Sequence, residues 1–125
     1  MPINEHTGAV ITAAMRVHTI LAPGLLEAVY KRCLAHELRK RGLRVEEELE
    51  LPVVYDDVCV ELGYRIDLLV NGVVVVEVKS VAKVLPVHQA QLLSYLRLSG
   101  HRVGLLINFN VPHLKEGIRR MVHQL

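Results

Sequence analysis

Apolar residues along this chain first follow a helical spacing, then a strand-like one, then a helical one again. Ala9, Val10, Ala13, Ala14, Val17, Ile20 and Leu21 recur every three to four positions, which predicts a helix from about Asn4 to Leu21, stopped by the breakers Pro23 and Gly24. A second stripe of Leu26, Val29, Tyr30, Cys33, Leu34 and Leu38 predicts a helix from about Leu25 to Arg41, with Arg39, Lys40 and Arg41 in its last turn and Gly42 closing it. From Val45 to Val54 an imperfect alternation predicts an initial strand, with Pro52 near its end or at an edge. Glu46, Glu47, Glu48 and Glu50 there are most simply a solvated strand face. Tyr55-Asp56-Asp57 then turns the chain into Val58–Leu62.

The stretch Tyr64–Lys79 organises the rest. It reads as two strongly apolar strands joined at Asn71-Gly72, the strongest short-range hairpin signal. Asp67, Glu77 and Lys79 are charges set inside it, and such charges are costly to bury unless paired or bound to a metal. Glu77 and Lys79 share a strand face by the period of two. Asp67 joins that face only under one class of register. A two-residue loop at Asn71-Gly72 pairs Val70 with Val73 and sends Asp67 and Glu77 to opposite faces. An odd loop, Val70-Asn71-Gly72, pairs Leu69 with Val73 and makes Glu77 the diagonal neighbour of Asp67, roughly 7–8 Å away on the same face. Convergence of two carboxylates and a lysine is what metal-assisted phosphodiester hydrolysis requires. Apolar residues on both faces of the hairpin predict helices on both sides of the sheet.

After a connector at Ser80–Leu85, Pro86 opens a helix that runs to about Ser99, with Gly100 as its stop. Gln91 and Tyr95 lie one turn apart on one face of it. The unbroken run Val103–Phe109 predicts a buried, parallel strand, and Leu114–Val122 a short basic closing helix. Glu27 stands in the first turn of the second helix, where a carboxylate is favoured by the helix dipole alone. His18 lies near a helix C-terminus, which favours a cation in the same way.

At 125 residues, 51% hydrophobic and 22% charged, the chain suits one globular domain, 1–125, and not a disordered segment. With no Trp and one Phe, the core must be aliphatic. A net charge of +2 permits a nucleic-acid partner without arguing for one. No signal peptide and no run of bilayer length is read, so no membrane association is expected. Cys33 and Cys59 are isolated thiols that suit a reduced, cytoplasmic protein, and the seven histidines have no zinc-ligand spacing.

The order of elements, with D-x9-E-V-K across the hairpin, resembles the PD-(D/E)XK nuclease superfamily. Gly24-Leu25-Leu26-Glu27-Ala28-Val29-Tyr30 reads as G-x-x-E-x-x-Y, the signature of the small prokaryotic GxxExxY family, and Leu85–Arg97 and Leu105–Asn110 are similar to it as well. The resemblance spans roughly Thr7 to Arg120. It implies an α/β (mixed α+β) fold with a four-stranded mixed sheet in the order αβββαβ and helices on both faces. It implies a Mg²⁺- or Mn²⁺-dependent nuclease acting on nucleic acid, DNA above all. In it Asp67 and Glu77 would be metal ligands, with Glu27 and the Val78 carbonyl completing the set. Lys79 would act on the attacking water, Gln91 and Tyr95 would flank the site, and Glu27 and Gln91 would approach one sheet face from two helices. Ile66 replaces the Pro that often precedes the aspartate. A homodimer is compatible with so small a nuclease. The rival reading, from another class, is a nucleic-acid-binding or protein-interaction module that keeps the fold without catalysis.

Overall fold

The computed structural model describes residues 1–124; Leu125, the end of the expected domain, lies outside them. Two helices, α1 (Ile3–Leu21) and α2 (Glu27–Lys40), precede β1 (Val45–Glu50), a small hairpin of β2 (Val53–Tyr55) and β3 (Val58–Val60), and the long hairpin of β4 (Arg65–Val70) and β5 (Val74–Lys79). Helix α3 (Pro86–Ser99) crosses over to β6 (Val103–Asn108), and a 3₁₀ turn, Leu114–Gly117, leads into β7 (Ile118–Val122). The main sheet has the order β1-β4-β5-β6-β7, parallel only between β5 and β6. A parallel pair needs a crossover, and α3 supplies it.

Both faces of the central strands are apolar, so both are covered. On one face Val10, Ala13, Tyr30, Leu34 and Leu38 from α1 and α2 pack on Leu68, Val76, Leu105 and Phe109, with the Tyr30 and Phe109 rings stacked 4.7 Å apart. On the other, Leu92, Tyr95 and Leu96 of α3 pack on Leu69, Val75 and Leu106. Gly104 makes that second layer close: a Cβ there would lie 2.8 Å from Leu92 Cδ1 and 3.2 Å from the Val75 carbonyl. The fold is therefore the mixed α/β class expected, with layers on both sides.

Its details differ from the sequence reading in three places. The sheet has five strands rather than four, because Leu114–Val122 is a 3₁₀ turn and an edge strand rather than a helix. Gly117 is a poor helix residue and lies so close to the Asn108 carbonyl that any Cβ would collide with it, while the open edge of β6 offers hydrogen bonds to whatever runs beside it. The strand expected over Val45–Val54 divides at Leu51-Pro52, and Val53–Val60 forms a separate two-stranded hairpin turned at Asp56 and Asp57, both left-handed (φ 50° and 65°). Ile66, which the period of two sets on the same face as Leu68, Val74, Val76 and Val78, packs instead with Leu51 and Tyr95 on the α3 side. β4 is thus distorted next to Asp67.

Gly117→Ala should lower stability by about 2 kcal/mol, because a backbone carbonyl is in the way and must move. Gly8→Ala, in the open interior of α1, should instead raise it by about 0.5–1 kcal/mol. Thermal unfolding followed by circular dichroism should separate the two variants by about 5 °C or more, in opposite directions from the wild type.

Candidate metal centre

The β4–β5 turn sets the geometry of the site. Asn71 and Gly72 are both left-handed (φ 53° and 65°), and the Val73 N–H closes the turn on the Val70 carbonyl at 2.9 Å. Asn71 is also tied to Arg44, donating its N–H to the Arg44 carbonyl and accepting the Arg44 N–H on Oδ1. Val73 is an additional residue, so Val70 pairs with Val74, Leu69 with Val75 and Leu68 with Val76. The loop is odd, as convergence demands, but it comprises Asn71-Gly72-Val73 rather than Val70-Asn71-Gly72. Continued one step, this register sets Asp67 directly opposite Glu77, where the sequence reading had them diagonal.

Backbone pairing between β4 and β5 stops at Leu68–Val76, and side chains bridge the strands beyond it. The Asp67 N–H donates to Glu77 Oε1 at 3.2 Å, and the Val78 N–H donates to Asp67 Oδ2 at 2.8 Å. Each carboxylate therefore takes the place of a carbonyl in the interrupted ladder. Glu77 is only 4% exposed, and burial first, then the charge of Asp67, pushes its carboxyl far above the usual carboxylate range. The Asp67 N–H and the positive charge of Lys79 oppose that shift without cancelling it.

Two residues that the sequence did not single out complete the surroundings of Asp67. Lys31 of α2 places Nζ 3.5 Å from Asp67 Oδ1 and makes a direct ion pair with Glu48 of β1. Burial pulls Lys31 down, yet its bond to Glu48 and the nearby Asp67 outweigh that and raise it above the ordinary lysine value. Glu48 lies opposite Asp67 in the β1–β4 register, in a left-handed conformation (φ 52°) uncommon for any residue but glycine. The signal available in sequence was weak: Lys31 is one turn past Glu27, and Glu48 sits in a run of glutamates that reads as solvated.

Lys79 ends β5 on the same side as Glu77, half-buried and in register with Asn108. Asn108 is the other missed residue. Its side chain accepts the Val81 and Asn110 N–H groups and donates to the Val81 carbonyl, which fixes the chain just past Lys79. Tyr95, on α3, is 6% exposed; burial first, then the charges of Glu77 and Asp67, raise its hydroxyl to about 12. Its ring meets that of Tyr64 edge-on at 6.2 Å. Gln91 is half-buried one turn earlier.

Glu27 is the first residue of α2, half-buried, and the loop before it is pinned from two sides. Tyr30 Oη donates to the Ala22 carbonyl at 2.5 Å and accepts the Leu25 N–H at 3.1 Å, while Ser80 Oγ donates to the Leu25 carbonyl at 2.6 Å. The start of α2 is thereby held against the end of β5. α2 packs on one face of the sheet and α3 on the other, so the helices that carry Glu27 and Gln91 lie on opposite sides of it.

Whether these residues suit a metal can be judged from the donor set. Among the described residues no three His, Cys, Asp or Glu side chains are already gathered as a site. The Asp67–Glu77 pair is nevertheless two oxygen donors whose mutual repulsion a cation would relieve. A Mg²⁺-like ion asks for one or two carboxylates, completed by water and phosphate. The pair fits such an ion.

A family model described as the PD-(D/E)XK nuclease superfamily matches residues 4–121, and the chain belongs to that superfamily. Its members are generally nucleases that act on nucleic acid and typically use divalent metal ions, so the chain carries a nuclease-like function. No match was found among curated proteins or among solved structures.

Since the folded pKa of Glu77 lies above its ordinary 4.5, the protonated site contributes stability that is complete below that pH and is lost as pH rises toward about 9. Metal-free protein kept in chelator should therefore melt progressively lower over this interval, and Glu77→Gln should flatten the dependence.

Proposed function

We propose that this chain is a metal-dependent nuclease of the GxxExxY family, hydrolysing phosphodiester bonds in DNA. The observation that carries the reading is the pair of carboxylates, Asp67 and Glu77, bridging the open end of a hairpin whose second strand ends in Lys79. Asp67 and Glu77 would hold Mg²⁺ or Mn²⁺, with the Val78 carbonyl and Glu27 as further ligands. When bound, such an ion supplies charge neutralisation at the phosphate and a more acidic water. Lys79 orients the attacking water and balances charge that develops on the phosphate, a role suited to a compact ammonium beside a partly dry site. Gln91 and Tyr95 border the site on the α3 side, and Tyr95, kept protonated, is a hydrogen-bond donor there.

We take residues 1–125 as one nuclease domain, acting in the cytoplasm of a prokaryote and able to work as a homodimer. Among the described residues no helix is long and apolar enough to cross a membrane. A second reading, a catalytically quiet binding module on the same fold, draws on one observation: both Asp67 oxygens and one of Glu77 already have protein partners.

Mn²⁺ or Mg²⁺ should raise the melting temperature of the wild type, and Asp67→Asn or Glu77→Gln should remove that rise together with cleavage. Lys79→Ala should keep the metal-induced rise and lose cleavage of DNA by about 100-fold or more, because its role is in the transition state. Metal binding without cleavage of any DNA or RNA by the wild type would favour the quiet module instead.

A further inference from the structure

We propose that Lys31 is the resident cation of the metal-free site, exchanged for the incoming divalent ion, and that Glu48 is the berth that keeps it within reach after the exchange. This rests on Asp67 and Glu77 being the metal-binding pair. Lys31 is not among the residues to which the sequence points, yet its side chain is 18% exposed and reaches Asp67 Oδ1 from the face of the sheet opposite α3. Asp67 Oδ2 is taken by the Val78 N–H. With Lys31 in place, neither oxygen of Asp67 is without a partner. A divalent ion and an ammonium cannot share that oxygen at contact distance without strong repulsion.

Glu48 resolves the conflict. It pairs with the same Nζ but is itself 43% exposed, at the outer edge of the sheet, so the ammonium can withdraw from Asp67 toward the surface without losing its ion pair. The arrangement is built rather than incidental. Glu48 adopts a left-handed backbone within a strand, between the regular pairs Glu47–Leu68 and Leu49–Ile66, at the one position that faces Asp67. Conformations of this kind persist where the surroundings over-determine them. The lysine's own backbone is firm, because the preceding residue, Tyr30, is buried against Phe109 and anchored by its hydroxyl. Only the side chain has freedom to move. Lys31 is thus a positioning residue: it holds Asp67 against Val78 when no metal is present and tunes how readily the site is loaded.

Mn²⁺ titration by calorimetry, with melting temperatures recorded in chelator and at saturating Mn²⁺, tests the exchange. Lys31→Met should bind Mn²⁺ about fivefold more tightly than the wild type, while melting lower in chelator and regaining most of that loss in Mn²⁺. Arg32→Met, which removes the same charge from the neighbouring position facing α1, should change affinity by less than about twofold. Glu48→Gln should weaken Mn²⁺ about fivefold in the wild-type background and by less than about twofold in Lys31→Met, because its effect passes through the lysine. If Lys31→Met fails to fold, Lys31→Gln, which keeps length and hydrogen-bonding capacity, takes its place with the same expectation. Unchanged or weaker Mn²⁺ binding in a folded Lys31 variant overturns the exchange while leaving the metal site intact. A wild type that binds no Mn²⁺, or binds it equally after Glu77→Gln, brings down the metal site and the exchange together.

Discussion

One additional residue, Val73, decides what this sheet can do. Side chains alternate from face to face, so the parity of the β4–β5 loop sets the register that carries Asp67 opposite Glu77, and the local distortion of β4 does the rest. With the extra residue they meet. The two strands then part beyond Leu68 and Val76, and each carboxylate answers an N–H that the ladder no longer serves. The burial of an unpaired acid would otherwise be prohibitive. The local disruption and the candidate chemistry are thus one event: the acids complete the hairpin because the hairpin fails to complete itself.

Everything around that opening braces it. Asn108 grips Val81 and fixes the exit of β5, Ser80 ties the same segment to Leu25, and the Tyr30 hydroxyl closes the loop from which α2 starts. The glycine, glutamate and tyrosine of Gly24–Tyr30 therefore act together. The tyrosine fixes the loop, the glycine (φ 108°) lets it bend, and the glutamate opens α2. Charge is balanced locally rather than over the surface: Lys31 and Glu48 on one side, Lys79 on the other, face a carboxylate pair that would repel if both were ionised.

Much of this was legible in the chain itself. Apolar periodicity located α1, α2 and α3 to within two residues at either end, and the run from Val103 onward marked the buried parallel strand, because these segments have a single strong period. The requirement for an odd loop was readable too, though its position was not: Asn-Gly marks the turn, but nothing local says on which side the extra residue falls. The basic tail misled for a related reason. Ile118–Val122 has no period of its own and becomes a strand only because β6 offers it an edge, a tertiary cause invisible to a local pattern. Lys31, Glu48 and Asn108 escaped notice because their partners are distant in sequence and their residue types are common on surfaces.

The small β2–β3 hairpin carries a consequence of another kind. It pairs only with itself, and Val54, Tyr55, Val58 and Leu62 project from it into solvent with almost nothing to pack against. Such a unit has few ties to the global fold and opens on its own at low free energy. Its flanks, however, are Glu50-Leu51 and Tyr64-Arg65, joined by the Leu51 N–H to the Tyr64 carbonyl, and Asp67 follows within two residues. Amide hydrogen exchange should thus rise steeply between Leu68 and Tyr64, and the boundary between the slow core and the fast arm falls on the very residues that form the site. The chain places its charged pair where its rigid and its yielding halves adjoin.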